Sequence, residues 1–137
     1  MTIKSSQGYE GFNLVGLIIE GAYRVPNDRD FLYFKLKDGR CVEFESEGSC
    51  CATCYICHIN CSDALANAEV LRVENLEEHG IQDGDYSYTD VWGHRIVTTK
   101  GICTIDMRTE HNGNYSGWLN AKCVDALPAG VVPLEDF

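Results

Sequence analysis

The stretch from Cys50 to Cys61 is the part of the sequence whose residue types and spacing most clearly suggest chemistry. From Cys51 onward its cysteines follow the spacing C-x2-C-x2-C-x3-C, as in the runs that hold iron–sulfur clusters in bacterial ferredoxins. Three of these thiols with His58 would also suit tetrahedral zinc. One interpretation is therefore a zinc or iron–sulfur centre with four candidate ligands: Cys51, Cys54, Cys57 and Cys61.

A β-strand is the competing interpretation of the same stretch. Thr53 to Ile59 is rich in β-branched and aromatic residues, which favour strands. Because side chains alternate along a strand, Cys54 and Cys57 would point to opposite faces and could not bind one metal ion, while Ile56 and His58 would share the face of Cys54. We favour the strand and expect no cofactor, and the metal centre remains the alternative.

No signature of an enzyme accompanies these cysteines in the sequence. The glycines form neither a G-x-G-x-x-G motif nor a Walker loop, so the sequence contains no motif that would indicate nucleotide-dependent catalysis. With eight cysteines and four scattered histidines, some Cys–His pairing is expected by chance. We expect a binding protein without catalytic residues.

Acidic residues are concentrated between Glu69 and Asp90, where there are seven carboxylates and a single basic residue, Arg72. The formal net charge of the whole chain is −10. Such a charge disfavours binding to nucleic acid. A solvated strand and loop is one interpretation of the acidic run. The other is a docking surface for a basic partner, such as a nucleic-acid-binding protein whose groove the acids would occupy. The predicted surface joins these acids to nearby aromatic and turn residues: Glu74, Glu77, Glu78, Asp83, Asp85, Trp92, Asn112, Tyr115 and Trp118.

The turn at Asn112-Gly113 is the strongest short turn signal in the chain, because both residues tolerate positive φ. We expect it to present Tyr115 beside Trp118 on an exposed loop. The alternative is that Tyr115 folds back onto the sheet as a packing residue. A further interpretation of the chain is a protein that binds a small nucleotide-like ligand in a pocket lined by aromatic residues.

Turn signals recur about every ten residues, which is typical of a β-rich domain. Between Phe31 and Phe44, side-chain parity predicts a hairpin with a three-residue loop and Gly39 in the left-handed conformation, so that Phe34 pairs with Val42. A second hairpin around Lys100-Gly101 predicts pairing of two isoleucines, Ile96 and Ile105.

These signals predict one β-rich α+β domain over residues 1–137, built of antiparallel hairpins in a curled sheet or small open barrel. The core is expected over 14–127, a short helix near Ser62 to Ala66, and a loosely packed tail over 128–137. Apolar stretches are too short to cross a membrane. The N-terminus has no secretory signal pattern, which favours the cytoplasm.

The order of three short motifs resembles a family of small uncharacterised proteins found largely in bacteriophages and their hosts. The motifs are Asp38-Gly39, Cys50-Cys51-Ala52 and the turn from Asn112 to Ser116, and the likeness spans about Leu14 to Val124. Ala52 stands where the family has Glu. The resemblance implies a phage-like accessory protein and brings no established activity with it. We expect the chain to bind or inhibit a host factor, such as a defence protein, in the host cytoplasm.

Overall fold

The computed structural model describes residues 13–113 and 116–137. Within these residues the chain forms nine strands and a single 3₁₀ turn, Ser62–Leu65, between the fourth and fifth strands. In chain order the strands are β1 (Ile18–Arg24), β2 (Phe31–Leu36), β3 (Cys41–Gly48), β4 (Thr53–Asn60), β5 (Ala68–Gly84), β6 (Ser87–Thr98), β7 (Gly101–His111), β8 (Gly117–Val124) and β9 (Val132–Pro133).

All strand pairs are antiparallel and form one sheet in the order β4-β7-β6-β5-β1-β2-β3-β8, with β9 beside β1. The expected β-rich, curled antiparallel sheet is thereby confirmed. The α+β class is not, because the 3₁₀ turn Ser62–Leu65 is the only helical element in the described ranges. None of the described segments forms a helix long and apolar enough to cross a membrane.

The sheet bends between β1 and β5, which pair only at Ile18 with Glu69 and at Ile19 with Ala68. This bend folds the β1-β2-β3-β8 half over the β5-β6-β7-β4 half, and the apolar side chains of both halves are buried between them. Phe34 and Phe44 lie edge to face at the centre, with ring centroids 4.7 Å apart. The other large buried side chains include Leu32, Leu36, Ile56, Ile59, Ile96 and Ile105.

The register of the β2–β3 hairpin follows the side-chain parity. Leu32 pairs with Phe44 and Phe34 with Val42, and Gly39 has φ +97°. The β6–β7 hairpin has the expected two-residue turn, but one position earlier, so that Ile96 pairs with Cys103 instead of Ile105. The partner of Ile96 thus lies two residues earlier along β7 than expected. A register shift of two residues leaves every side chain on its expected face, so the alternation of apolar and polar residues could not reveal it.

Strand β4 confirms the strand interpretation of the cysteine run, with one correction. Cys54 and Ile56 are buried, as alternation predicts, but His58 is exposed. A β-bulge at Cys57 is the reason, because Ile56 pairs with Met107 and His58 with the next residue, Asp106. The extra residue restores the apolar face at Ile59, which is fully buried.

Strand β8 closes the structure by approaching β4 and β7 at Gly117. A Cβ atom on Gly117 would lie 2.7 Å from Cys54 Sγ and would also collide with Thr109 Oγ1. Nearby, Ser46 Oγ of β3 donates a hydrogen bond of 3.0 Å to the Cys54 carbonyl oxygen of β4. The two ends of the strand order therefore pack against each other without pairing, and the sheet is open and strongly curled.

The C-terminal segment 128–137 is anchored, in contrast to the loose tail expected from the sequence. The backbone N–H groups of Cys61 and Ser62 donate hydrogen bonds to the Asp136 carboxylate, at 2.9 and 2.7 Å. Phe137 exchanges backbone hydrogen bonds with Ile59 and packs against the core. Hydrogen bonds from the backbone and side chain of Ser62 and from the backbone of Cys61 hold the pKa of Asp136 below its usual value.

Substitution of Gly117 by alanine is expected to destabilise the fold by about 1–3 kcal/mol, because the added methyl group must displace Cys54 and Thr109. Gly84→Ala is the matched control, since the nearest atom to its Cβ lies 3.9 Å away. The control should stay within about 0.5 kcal/mol of the parent in urea unfolding. Equal stability of the two variants would contradict the tight closure.

Candidate functional site

The distal half of the β5–β6 hairpin, residues 76–93, is here named the acidic arm. It carries five carboxylates and no Lys or Arg. Most of its β5 side is solvent exposed, and two large apolar side chains are exposed near its end, Ile81 at 51% and Tyr86 at 82%. The acids of the arm are Glu77, Glu78, Asp83, Asp85 and Asp90.

Two of these carboxylates, Glu78 and Asp90, are close enough to interact. Burial and the neighbouring charge of Asp90 raise the pKa of Glu78. Asp90 in turn accepts a hydrogen bond of 2.9 Å from His111 Nε2. The His111 ring stacks on the Tyr88 ring, with centroids 5.6 Å apart. These polar and aromatic contacts therefore hold the β6 side of the arm to the end of β7, close to the turn of the hairpin.

A cavity of about 260 Å³ lies where the base of the arm meets β8, and it is here named the tryptophan cavity. The Nε1 of Trp92 donates to Thr109 Oγ1 at 2.9 Å, and the Nε1 of Trp118 donates to Glu47 Oε2 at 3.0 Å. Both indole N–H groups are thus satisfied by the protein. The lining residues are Asn75, Leu76, Glu78, Trp92, Gly93, His94, Gly117 and Trp118.

His94 lines this cavity and is only 3% exposed. Its Nδ1 lies 2.9 Å from the side-chain oxygen of Asn75. Because an amide oxygen can only accept, this contact places the ring proton on Nδ1. The other nitrogen, Nε2, is buried and has no hydrogen-bond partner in the part of the chain that the structure describes. Burial lowers the pKa of His94 to about 4, so the ring is neutral at pH 7.

Most of the predicted surface residues lie in one or both of these two features. The cavity brings together Glu78, Trp92 and Trp118 from distant parts of the sequence. Glu77, Asp83 and Asp85 lie along the arm, and Asn112 is exposed in the turn after β7. Tyr115 lies outside the described residues.

Glu74 belongs to neither feature. Its carboxylate pairs with Arg72 Nε at 2.7 Å and with Arg95 Nη1 at 3.1 Å, and the hydrogen bonds from these arginines lower its pKa. The sequence interpretation also missed His94 and Asn75. An inward position for His94 could have been read from its alternation with Ile96, but its unpartnered nitrogen could not.

The four cysteines proposed as metal ligands are spread over different environments. Cys54 is 7% exposed and turned to the core, whereas Cys57 lies on the outer face and Cys51 and Cys61 are exposed. Among the described residues, the only group of three or more potential ligands with atoms within 4.8 Å of one another is Cys57, His58 and Asp106. This group contains one of the four cysteines.

Comparison with known proteins gives a family but no activity. The profile of a domain of unknown function, DUF7448, matches residues 13–120. The chain belongs to the DUF7448 family. No curated protein and no solved structure is significantly similar to it.

The stability of this DUF7448 protein should depend on His94 between pH 7 and 4. The folded-state pKa of about 4 lies below the unfolded value of 6.5, so acid favours the unfolded state, which binds the proton first. The wild type should lose about 3 kcal/mol over this range relative to His94→Gln. Glu78 is present in both chains, so its own contribution to the pH dependence of stability cancels in this comparison.

Urea unfolding at several pH values measures this difference. The control variant is His79→Gln, at an exposed position, and its stability should fall with pH in parallel with the wild type. Parallel curves for wild type and His94→Gln would show that His94 is not buried as a neutral ring.

The cysteines of the DUF7448 chain should differ sharply in alkylation by iodoacetamide. Burial raises the pKa of Cys54 to about 11 and that of Cys103 to about 12, so both react slowly. The exposed thiols of Cys61 and Cys123 should be modified first. Peptide mass spectrometry gives the rate at each site. Joint protection of Cys54 and Cys61 that a chelator removes would instead indicate a shared metal centre.

Proposed function

We propose that this chain is a non-enzymatic binding protein whose acidic arm docks on a basic surface of a partner protein. The observation that carries the proposal is the charge of residues 76–93, which include five carboxylates and no Lys or Arg. A one-signed surface of this kind accelerates association with a surface of opposite charge and disfavours partners of like charge.

Two apolar side chains give the arm a means of holding a partner as well as attracting it. Ile81 and Tyr86 are exposed near the end of the hairpin. Exposed charge pairs contribute little free energy at a protein surface, whereas buried aromatic side chains are common anchors of interfaces. The arm therefore combines long-range attraction with anchors that become buried on docking.

The resemblance to phage-associated proteins favours a host protein as the partner, and we propose inhibition of a host factor, such as a defence protein, as the consequence. Docking of an acidic arm on a basic groove would cover the surface with which that factor binds its own acidic ligand. This mode of action needs no chemistry from the chain and no cofactor.

Neutralisation of two exposed arm carboxylates, in Glu77→Gln/Asp85→Asn, should weaken partner capture roughly tenfold or more, which corresponds to about 1.4 kcal/mol. The control is Asp125→Asn/Glu135→Gln, which removes the same charge at exposed positions away from the arm. Proteins captured from host lysate by each chain are quantified by mass spectrometry, and cross-links locate the contact.

A basic protein captured by the wild type and the control, lost with the arm variant and cross-linked within residues 76–93, supports the proposal. Capture should also weaken as salt is raised, because the carboxylates concerned are exposed. Equal capture by the arm variant and the control would contradict it.

Zinc binding is a second candidate function, favoured by the bulge in β4. The bulge places Cys57 and His58 opposite Asp106, and these residue types suit Zn²⁺. His58 Nδ1 lies 3.2 Å from the Phe137 carbonyl oxygen, which leaves Nε2 available as a ligand. Arg108 already pairs with Asp106 and competes with an ion. Zinc titration of Cys57→Ser against the wild type tests this candidate.

A further inference from the structure

The tryptophan cavity contains a buried polar atom whose partner is not found in the described part of the chain. His94 is 3% exposed, and its Nε2 has no hydrogen-bond partner among the described residues. The large majority of buried polar side-chain atoms in folded proteins have a hydrogen-bond partner, and an exception calls for an explanation. This nitrogen belongs to a residue that lines the cavity, and because Nε2 is itself buried, a molecule in the cavity contacts it only after the side chains around it move apart.

The contact between His94 and Asn75 determines which kind of group the cavity accepts. The amide oxygen of Asn75 accepts the Nδ1 proton at 2.9 Å, so Nε2 carries a lone pair and can only accept. The complementary ligand group is therefore an N–H or O–H donor. A ligand carboxylate or phosphate would place a second acceptor against this nitrogen.

The remaining walls define the shape of the molecule. Trp92 and Trp118 contribute indole surface without free N–H groups, and Leu76 adds an aliphatic side. A volume of about 260 Å³ is near the lower end of the range of roughly 300–1,000 Å³ for small-molecule sites. A single flat ring system matches aromatic walls of this size.

From these constraints we propose that the tryptophan cavity binds a small, planar aromatic heterocycle, uncharged or cationic, that donates a ring N–H to His94 Nε2. Glu78 at the cavity and the neighbouring Asp90 exclude anionic ligands by charge. The site is separate from the docking of a partner on the exposed end of the arm, so either proposal can fail without the other.

The test uses indole and N-methylindole, which lacks the donor but is larger by one methyl group. Benzofuran, which lacks the donor and keeps the size of indole, is the steric control and should bind as weakly as N-methylindole. Indole is expected to bind the wild-type chain roughly tenfold or more tightly than N-methylindole, because methylation removes the hydrogen bond to a buried acceptor. Calorimetric titration measures the affinities. In ¹⁵N NMR of the histidine rings, indole should move the His94 Nε2 resonance, while His58 and His79 serve as internal references.

Two variants place the binding in the cavity. Leu76→Trp should fill the cavity and abolish indole binding, whereas Leu71→Trp adds the same side chain at an exposed position of the same strand and should leave binding unchanged. Equal affinity for indole and N-methylindole, an unmoved Nε2 resonance, or the absence of indole binding to the wild type would each overturn the proposal.

Discussion

The close approach of β8 to β4 and β7 at Gly117 is the constraint on which the rest of the structure depends. This residue has no room for a Cβ atom beside Cys54 and Thr109. Because the chain passes so close, the two halves of the sheet meet and bury their apolar faces against each other. The same Thr109 hydroxyl that touches Gly117 accepts the indole N–H of Trp92. One steric requirement therefore brings the two ends of the curled sheet together and positions a wall of the cavity.

The sequence allowed prediction of the local elements of the fold wherever one strand face is buried. The pairing of Leu32 with Phe44 follows from the alternation of side chains, because a slip of one residue would place these two side chains on opposite faces of the sheet and expose one of them. Parity cannot detect a shift of two partner residues, as at Ile96, or the bulge at Cys57. Both depend on contacts between strands, which the local pattern of apolar residues does not encode.

The two candidate sites also differ in how far the sequence predicts them. The acidic arm was visible in the sequence because its charges are contiguous along one hairpin. The tryptophan cavity was visible only in part, because Trp118 reaches Trp92 through the closure of the sheet and not through any spacing in the chain. The unpartnered nitrogen of His94 depends on burial and on Asn75, and neither can be read from residue types.

Glu78 belongs to both the acidic arm and the tryptophan cavity, and its electrostatics connect them. Burial and Asp90 both disfavour its charged form. A cationic side chain brought against the arm would oppose the effect of Asp90 and favour the carboxylate, as any opposite charge within a few ångströms does. A cationic molecule in the cavity would likewise favour the charged form of Glu78. It would thereby make the arm more negative where a partner docks, so the two binding events are linked. The two sites are distinct in shape and in the groups they offer, but they share one titratable group.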